Sequence, residues 1–204
     1  MSPVSPARKP LPRSVRIIGG RWKRTRLPVA DWPGLRPTPD RVRETLFNWL
    51  ASLSGVGGGA LTGWRCADLF AGTGALGLEA ASRGAAQVLL CEQEGALVAP
   101  LRALRERLDL SMLRIERGDG VAILEREGAG CFDIVFIDPP FDQNALYPRA
   151  LQAAARALRR GGFAYLEAPR AWDQDELAAL GFAPLRYLKA GAVHAHLLRV
   201  ADRG

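Results

Sequence analysis

Cysteine is scarce in this chain, and what there is excludes two roles. Cys66, Cys91 and Cys131 are odd in number and no two have C-x-x-C spacing, so neither a disulfide framework nor a zinc site is expected. Each lies in or beside an apolar stretch, as small buried hydrophobes in a reducing compartment would. No apolar run approaches membrane-spanning length. The opening MSPVSPARKPLPR carries basic residues but lacks the apolar segment of a secretory signal. A cytoplasmic protein with no membrane partner is expected. Histidine is limited to His194 and His196. They have no acidic or Cys neighbour in sequence, so they read as structural and no metal is expected. No internal repeat is present.

What is abundant is positive charge, and it is concentrated. Residues 1 to 43 hold eleven Lys and Arg against two Asp, a net +9. The rest carries seventeen basic against nineteen acidic residues, a net −2. A polyanion met by the N-terminal part is the natural inference, against a merely solubilising tail. Residues 1 to 13 are Pro- and Ser-rich and read as disordered until bound. In SVRIIGGRWKRTRLPV, Val15, Ile17 and Ile18 are strand formers, Gly19-Gly20 is a turn signal, and Trp22 to Val29 can return. A basic β-hairpin results, with Trp22 either stacking on RNA or anchoring the hairpin.

Residues 31 to 39 form a loop with three prolines. Val42, Leu46, Trp49, Leu50 and Leu53 then have helical spacing, with Thr38 able to cap the start. SGVGGGALTG, residues 54 to 63, is a Gly-rich connection. Beyond it, strands are predicted at 64–70, 87–92, 112–117, 132–138, 162–168, 183–189 and 192–200. Helices are predicted at 75–83, 94–108, 120–127, 144–160 and 173–180, with Pro100 able to kink the second. The early strands are nearly all apolar, as strands covered on both faces should be. The alternation predicts a doubly wound α/β sheet with ligands at the carboxyl ends of its strands. Gly191 suggests a closing antiparallel hairpin. The organisation is an extension over 1–54 and an α/β domain over 64–204.

Asp68-Leu-Phe-Ala-Gly72-Thr-Gly74-Ala-Leu-Gly77 leaves the first of these strands and opens a helix. Its G-x-G-x-x-G lets backbone approach a ligand at a helix N-terminus. The spacing fits a dinucleotide, or a tight turn with no ligand. Asp68 argues against a pyrophosphate and for a cationic ligand such as S-adenosylmethionine. Glu92, after the next strand, can accept both hydroxyls of a ribose without choosing between these cofactors. Asp119 can take an adenine amino group or simply cap the next helix. Asp138-Pro139-Pro140-Phe141 then ends the apolar run VFI. Two prolines can be only a strand stop. Yet four acids end four successive strands, which a stop signal does not predict.

With D-L-F-A-G-T-G-A-L-G, a Glu after the second strand and D-P-P-F after the fourth, the chain resembles Class I S-adenosylmethionine-dependent methyltransferases acting on exocyclic amino groups. R-I-I-G-G-R-W-K, L-R-P-T-P-D-R-V-R-E-T-L-F-N-W-L and F-A-G-T-G-A-L-G-L-E-A resemble, more narrowly, the bacterial enzymes that make N2-methylguanosine in small-subunit ribosomal RNA. The resemblance runs from about Arg16 to Val200. It implies a Rossmann-like fold with a seven-stranded, mostly parallel sheet, helices on both faces, and a small basic hairpin/helix extension. It implies S-adenosylmethionine as cofactor, with Asp68, Gly72 and Gly74 at its methionine part, Glu92 at the ribose and Asp119 at the adenine. Asp138, Pro139, Pro140 and Phe141 would form the catalytic loop, and Arg36 to Asn48 would cover the cofactor. Candidate RNA contacts are Arg16, Arg21, Trp22, Lys23, Arg24, Arg26, Arg41 and Arg43. Thr38, Arg41 and Arg43 could each instead be a cap or a surface charge. The expected substrate is ribosomal RNA in the assembled or nearly assembled small subunit, and the expected protein is a monomer. An adenine-N6 methyltransferase, a dinucleotide oxidoreductase and a non-catalytic RNA-binding module are the alternatives. Asp68 and the missing substrate domain count against the oxidoreductase, and the intact motifs against the binding module.

Overall fold

The computed structural model describes residues 14–30, 32, 35, 37–54 and 61–201. The expectations for residues 1 to 13, for Arg36 and for most of the Gly-rich connection lie outside these. The chain begins with β1 (Ser14–Arg16), β2 (Arg26–Pro28) and α1 (Asp40–Ser54). There follow β3 (Arg65–Asp68), α2 (Ala75–Ser82), β4 (Gln87–Glu92), α3 (Gly95–Arg107), β5 (Leu113–Arg117), α4 (Gly120–Glu125) and β6 (Phe132–Ile137). Last come α5 (Leu146–Ala157), β7 (Leu158–Ala168), α6 (Gln174–Ala179), β8 (Phe182–Ala190) and β9 (Val193–Val200).

Side-chain alternation sorts the sheet into two apolar layers. Cys66, Val88, Leu90, Ile134 and Phe136 join one core cluster with residues of α1, α2 and α3. Ala67, Leu89, Cys91, Val135 and Ile137 join another with residues of α4, α5 and α6. Strands buried on both faces must read as continuous apolar runs, which is why they were visible in the sequence. The seven strands are ordered β5-β4-β3-β6-β7-β9-β8. The first five neighbours pair parallel, and β9 pairs antiparallel to both β7 and β8.

Local differences from the expectations have local causes. β7 starts at Leu158, not Gly162, because Leu158 pairs with Phe132 before the register shifts and Phe163 pairs with Ile134. The helical run ends early because Leu158 is already extended, and Gly161, at φ +68°, lies within the irregular start of the strand. Pro100 sits within α3 without breaking it. The first hairpin is real but short: Ser14 pairs with Pro28 and Arg16 with Arg26, while 17–25 form its turn. Val15, Ile17 and Leu27 belong to the same core cluster as the sheet and α1, so the extension is packed into the main core.

Candidate active site

Each parallel strand delivers an acid to one edge of the sheet. In spatial order these are Asp119, Glu92, Asp68, Asp138 and Glu167. The middle of the row is buried. Asp68 is 1% exposed, and its Oδ2 accepts from the Gly77 amide at 3.0 Å. That contact requires α2 to lie close on the strand: a Cβ at Gly77 would stand 2.2 Å from Leu90 Cδ2. Gly74 begins α2 at φ +76°, where glycine is the favoured residue. Burial, with Glu92 and Glu167 nearby, pushes the Asp68 carboxyl up to about 7.

Glu92 accepts from the Gly72 amide through Oε2 and from the Glu94 amide through Oε1, both at 2.8 Å. Each oxygen retains a second lone-pair site for a ribose hydroxyl. Asp119 behaves as a cap: its Oδ1 accepts from the Val121 and Ala122 amides, and Arg149 reaches its Oδ2 at 3.0 Å. Burial would raise this carboxyl, but those amides and the guanidinium hold it below the usual range.

Asp138 is half-buried just past β6, Pro139 is buried, and Phe141 is half-exposed. The Gln143 amide donates to the Pro140 carbonyl at 3.1 Å, closing a turn under the loop. Asp138 is raised well above the ordinary carboxylate value, by burial first, then by the charges of Glu167 and Asp68. Glu167 itself, 2% exposed, is raised chiefly by burial. It was missed in the sequence, although YLEAPR places it at the end of a fifth apolar strand. Tyr147, on α5, was missed too. Among the described residues its buried hydroxyl has no hydrogen-bond partner, and it lies in the field of Asp138 and Asp142.

The N-terminal segment reaches this edge. Thr38 is 4% exposed, and its hydroxyl is directed to Asp138 Oδ2 at 3.4 Å rather than at the start of α1. A Cβ at Gly72 would lie 3.0 Å from Leu35 Cδ1, so Leu35 rests on the glycine loop.

Arg43 is corrected. It is fully buried and cannot touch RNA at the surface. Its guanidinium donates to the Thr38 and Arg16 carbonyls and to Asp40, and lies 3.7 Å from Glu79. Glu79 accepts from the Ile18 and Gly19 amides and from Arg83. Ser82 accepts from the Trp22 amide and donates to the Gly19 carbonyl. The R-I-I-G-G-R-W-K and G-L-E-A segments therefore belong together because they touch. Arg21, Lys23, Arg24, Arg26 and Arg41 are exposed, and among the described residues none of them is in an ion pair. Arg16 is exposed but bonded to Asp40 at 2.8 Å. Trp22 is half-buried against the core, with the Arg21 guanidinium 5.0 Å from its ring centroid. His196 is buried and its Nε2 accepts from the Trp172 amide, while His194 meets the Tyr187 hydroxyl.

No helix among the described residues is long and apolar enough to cross a membrane, and none of their side chains cluster as a metal site. Residues 15–199 match the family model described as "Conserved hypothetical protein 95". A relative from Buchnera aphidicola subsp. Baizongia pistaciae, named ribosomal RNA small subunit methyltransferase D, is 32% identical over 76% of this chain and 76% of its own. The protein of that name from Escherichia coli K12 is 46% identical over 65% of this chain, and the match spans 63% of its length. The solved structure of yhhF from Escherichia coli superposes with TM-score 0.76 at 34% identity, covering 93% of this chain and 99% of that one. An acid-lined sheet edge, a glycine loop under Leu35 and these matches agree: the chain belongs to the conserved hypothetical protein 95 family of Class I methyltransferases, which includes small-subunit ribosomal RNA methyltransferases.

Proposed function

We propose that the chain transfers a methyl group from S-adenosylmethionine to the exocyclic N2 of a guanine in small-subunit ribosomal RNA. The observation that carries this reading is the position of Asp138. It ends the strand beside Asp68, so an amine acceptor stands next to a buried cation site on one sheet edge. When bound, S-adenosylmethionine supplies a methyl group on a sulfonium, with a positively charged amino group beside it. Asp68 fits that cation, since burial outweighs the backbone amides that donate to it and a positive ligand would favour its ionised form. Glu92 fits the ribose, with both oxygens held by backbone amides. Asp119 can take the adenine amino group on Oδ2, which already accepts from Arg149 and has a second lone-pair site.

A guanine N2 lone pair is delocalised into the ring. Asp138 and the Pro139 carbonyl accept its two hydrogens, hold the amine in line with the methyl and favour a pyramidal nitrogen. Phe141, half-exposed at the loop, offers a stacking face for an extruded base. Arg21, Lys23, Arg24 and Arg26 on the hairpin, and Arg41 on α1, contact the phosphates; Trp22 serves as anchor more than as platform. The reading places the protein in the cytoplasm as a monomer acting on nearly assembled subunits. Labelled methyl transfer to undermethylated subunits, followed by digestion to nucleosides, tests it. Label in N2-methylguanosine supports the reading; label in N6-methyladenosine would replace the substrate and keep the fold.

A further inference from the structure

Glu167, Thr38 and Tyr165 are buried near Asp138 and take no direct part in the transfer. Glu167 lies near the end of β7, the strand next to β6. The Tyr165 hydroxyl donates to Glu167 Oε1 at 2.7 Å. The Thr38 hydroxyl donates to Asp138 Oδ2 at 3.4 Å, and it is close enough to Glu167 to hold that carboxyl down against the effect of burial. Arg43 Nε, donating to the Thr38 carbonyl at 3.1 Å, fixes Thr38 from behind.

A threonine hydroxyl has a single proton. It can donate to one carboxyl; toward the other it can only accept, and that carboxyl must then carry a proton. Two ionised carboxylates around one hydroxyl, with Asp68 as a third nearby charge, would be mutually repelled in a desolvated setting.

We propose that Thr38 and Glu167 are positioning residues for Asp138: the Thr38 hydroxyl bridges the two carboxyls, which hold one proton between them, and Glu167 takes that proton when the substrate amine needs Asp138 as acceptor. This inference rests on the methyl-transfer reading. With the proton on Glu167, donation runs from Glu167 to Thr38 to Asp138, and Asp138 keeps an oxygen free for the N2 hydrogen. With the proton on Asp138, donation runs the other way and that acceptor is lost. During transfer the N2 lone pair forms the N–C bond, and the C–S bond breaks with its electron pair left on sulfur. The surplus amine proton passes to Asp138 and leaves to water with the product, restoring the single shared proton. The groups facing the pair are Arg43 from α1, Tyr165 from β7, Asp68 from β3 and Tyr147 from α5. Burial is the largest influence and opposes ionised Glu167, while Tyr165, Thr38 and Arg43 favour it.

The test is a carboxyl-carbon NMR titration of protein carrying labelled aspartate, with Asp138→Asn assigning the resonance, beside the pH profile of transfer. Glu167→Gln preserves a donor for Thr38 and an acceptor for Tyr165 but removes the charge that raises Asp138. Its Asp138 midpoint should fall by about one pH unit or more. Thr38→Val removes the hydrogen bond that lowers Asp138, so the midpoint should rise; Thr38→Ser should restore it. The acid limb of kcat should move the same two ways, with KM for the cofactor within about twofold. A merely structural role would depress kcat at every pH and move neither limb. Unmoved midpoints, or shifts of the same sign in Glu167→Gln and Thr38→Val, would overturn the proposal. Opposed shifts in a protein that puts no label on guanine would overturn the reading of the reaction instead, and leave the shared proton standing.

Discussion

The buried charges around Glu79 and those around Asp138 are neighbours joined through Arg43 and Thr38, yet they are built on opposite rules. Around Glu79 the account closes. Its carboxylate has two amides, Arg83 and nearby Arg43, and Arg43 has Asp40 and two carbonyls. Around Asp138, Asp68 and Glu167 three carboxyls meet, with Arg43 acting on Glu167, and all three are raised by burial. A closed set of buried charges holds elements together. An open set has spare capacity for a cation and for protons, which is what binding and transfer need.

Neutralising one member of each set sharpens the contrast. The largest effect expected is loss of transfer in Asp138→Asn, by roughly 10³-fold, with cofactor affinity within about threefold. Single-turnover kinetics with a binding isotherm would check it; retained turnover would remove Asp138 from the mechanism. In the closed set, Arg43→Met should destabilise the fold by roughly 3–5 kcal/mol, because Glu79 is left without part of its compensation. Denaturant melts measure this, and a change under about 1 kcal/mol would show that the cluster does not clamp the hairpin.

How much of this was legible follows from the same contrast. The strands were visible because burial on both faces demands apolar runs, and Asp68, Glu92 and Asp138 were visible because each interrupts one at its end. Arg43 and Glu79 were not, since a charged residue in a helical sequence reads as surface until its partner, 36 positions away in the chain, is known. Glu167 was missed for a weaker reason: it ends the fifth strand as the others end theirs, but no glycine or proline pair follows to mark it. The placement of β9 between β7 and β8 has no sequence signal, because a hairpin can pair by either strand.

Asp68→Asn should act in reverse to Arg43→Met. The folded chain holds a proton on Asp68 up to about 7, whereas an unfolded aspartate releases it near its ordinary value of 3.8. Stability of the cofactor-free protein should therefore fall as pH rises through that window. The Asn variant should lose that dependence and melt roughly 3–5 °C higher at pH 8, while binding cofactor more weakly. Calorimetry across pH tests it; a variant as pH-sensitive as the parent would mean that Asp68 is not the group responsible. The smallest effect lies outside both sets. Replacing Arg21, Lys23, Arg24 and Arg26 with Gln should leave melting within about 0.5 kcal/mol, yet reduce the salt slope of RNA binding by roughly three to four. An unchanged slope would move the RNA contact elsewhere.

The strand order has a consequence for biogenesis. β7 carries Glu167 and Tyr165, and its second edge is covered by residues 193–200. As a ribosome releases the chain from its N-terminal end, β7 must wait with an open, apolar edge for a strand still being translated. An unpaired apolar strand edge favours edge-to-edge association for as long as it stays open. The late strand that closes the sheet also delays burial of the carboxyl pair, so the proton-sharing edge is among the last parts of the molecule to form.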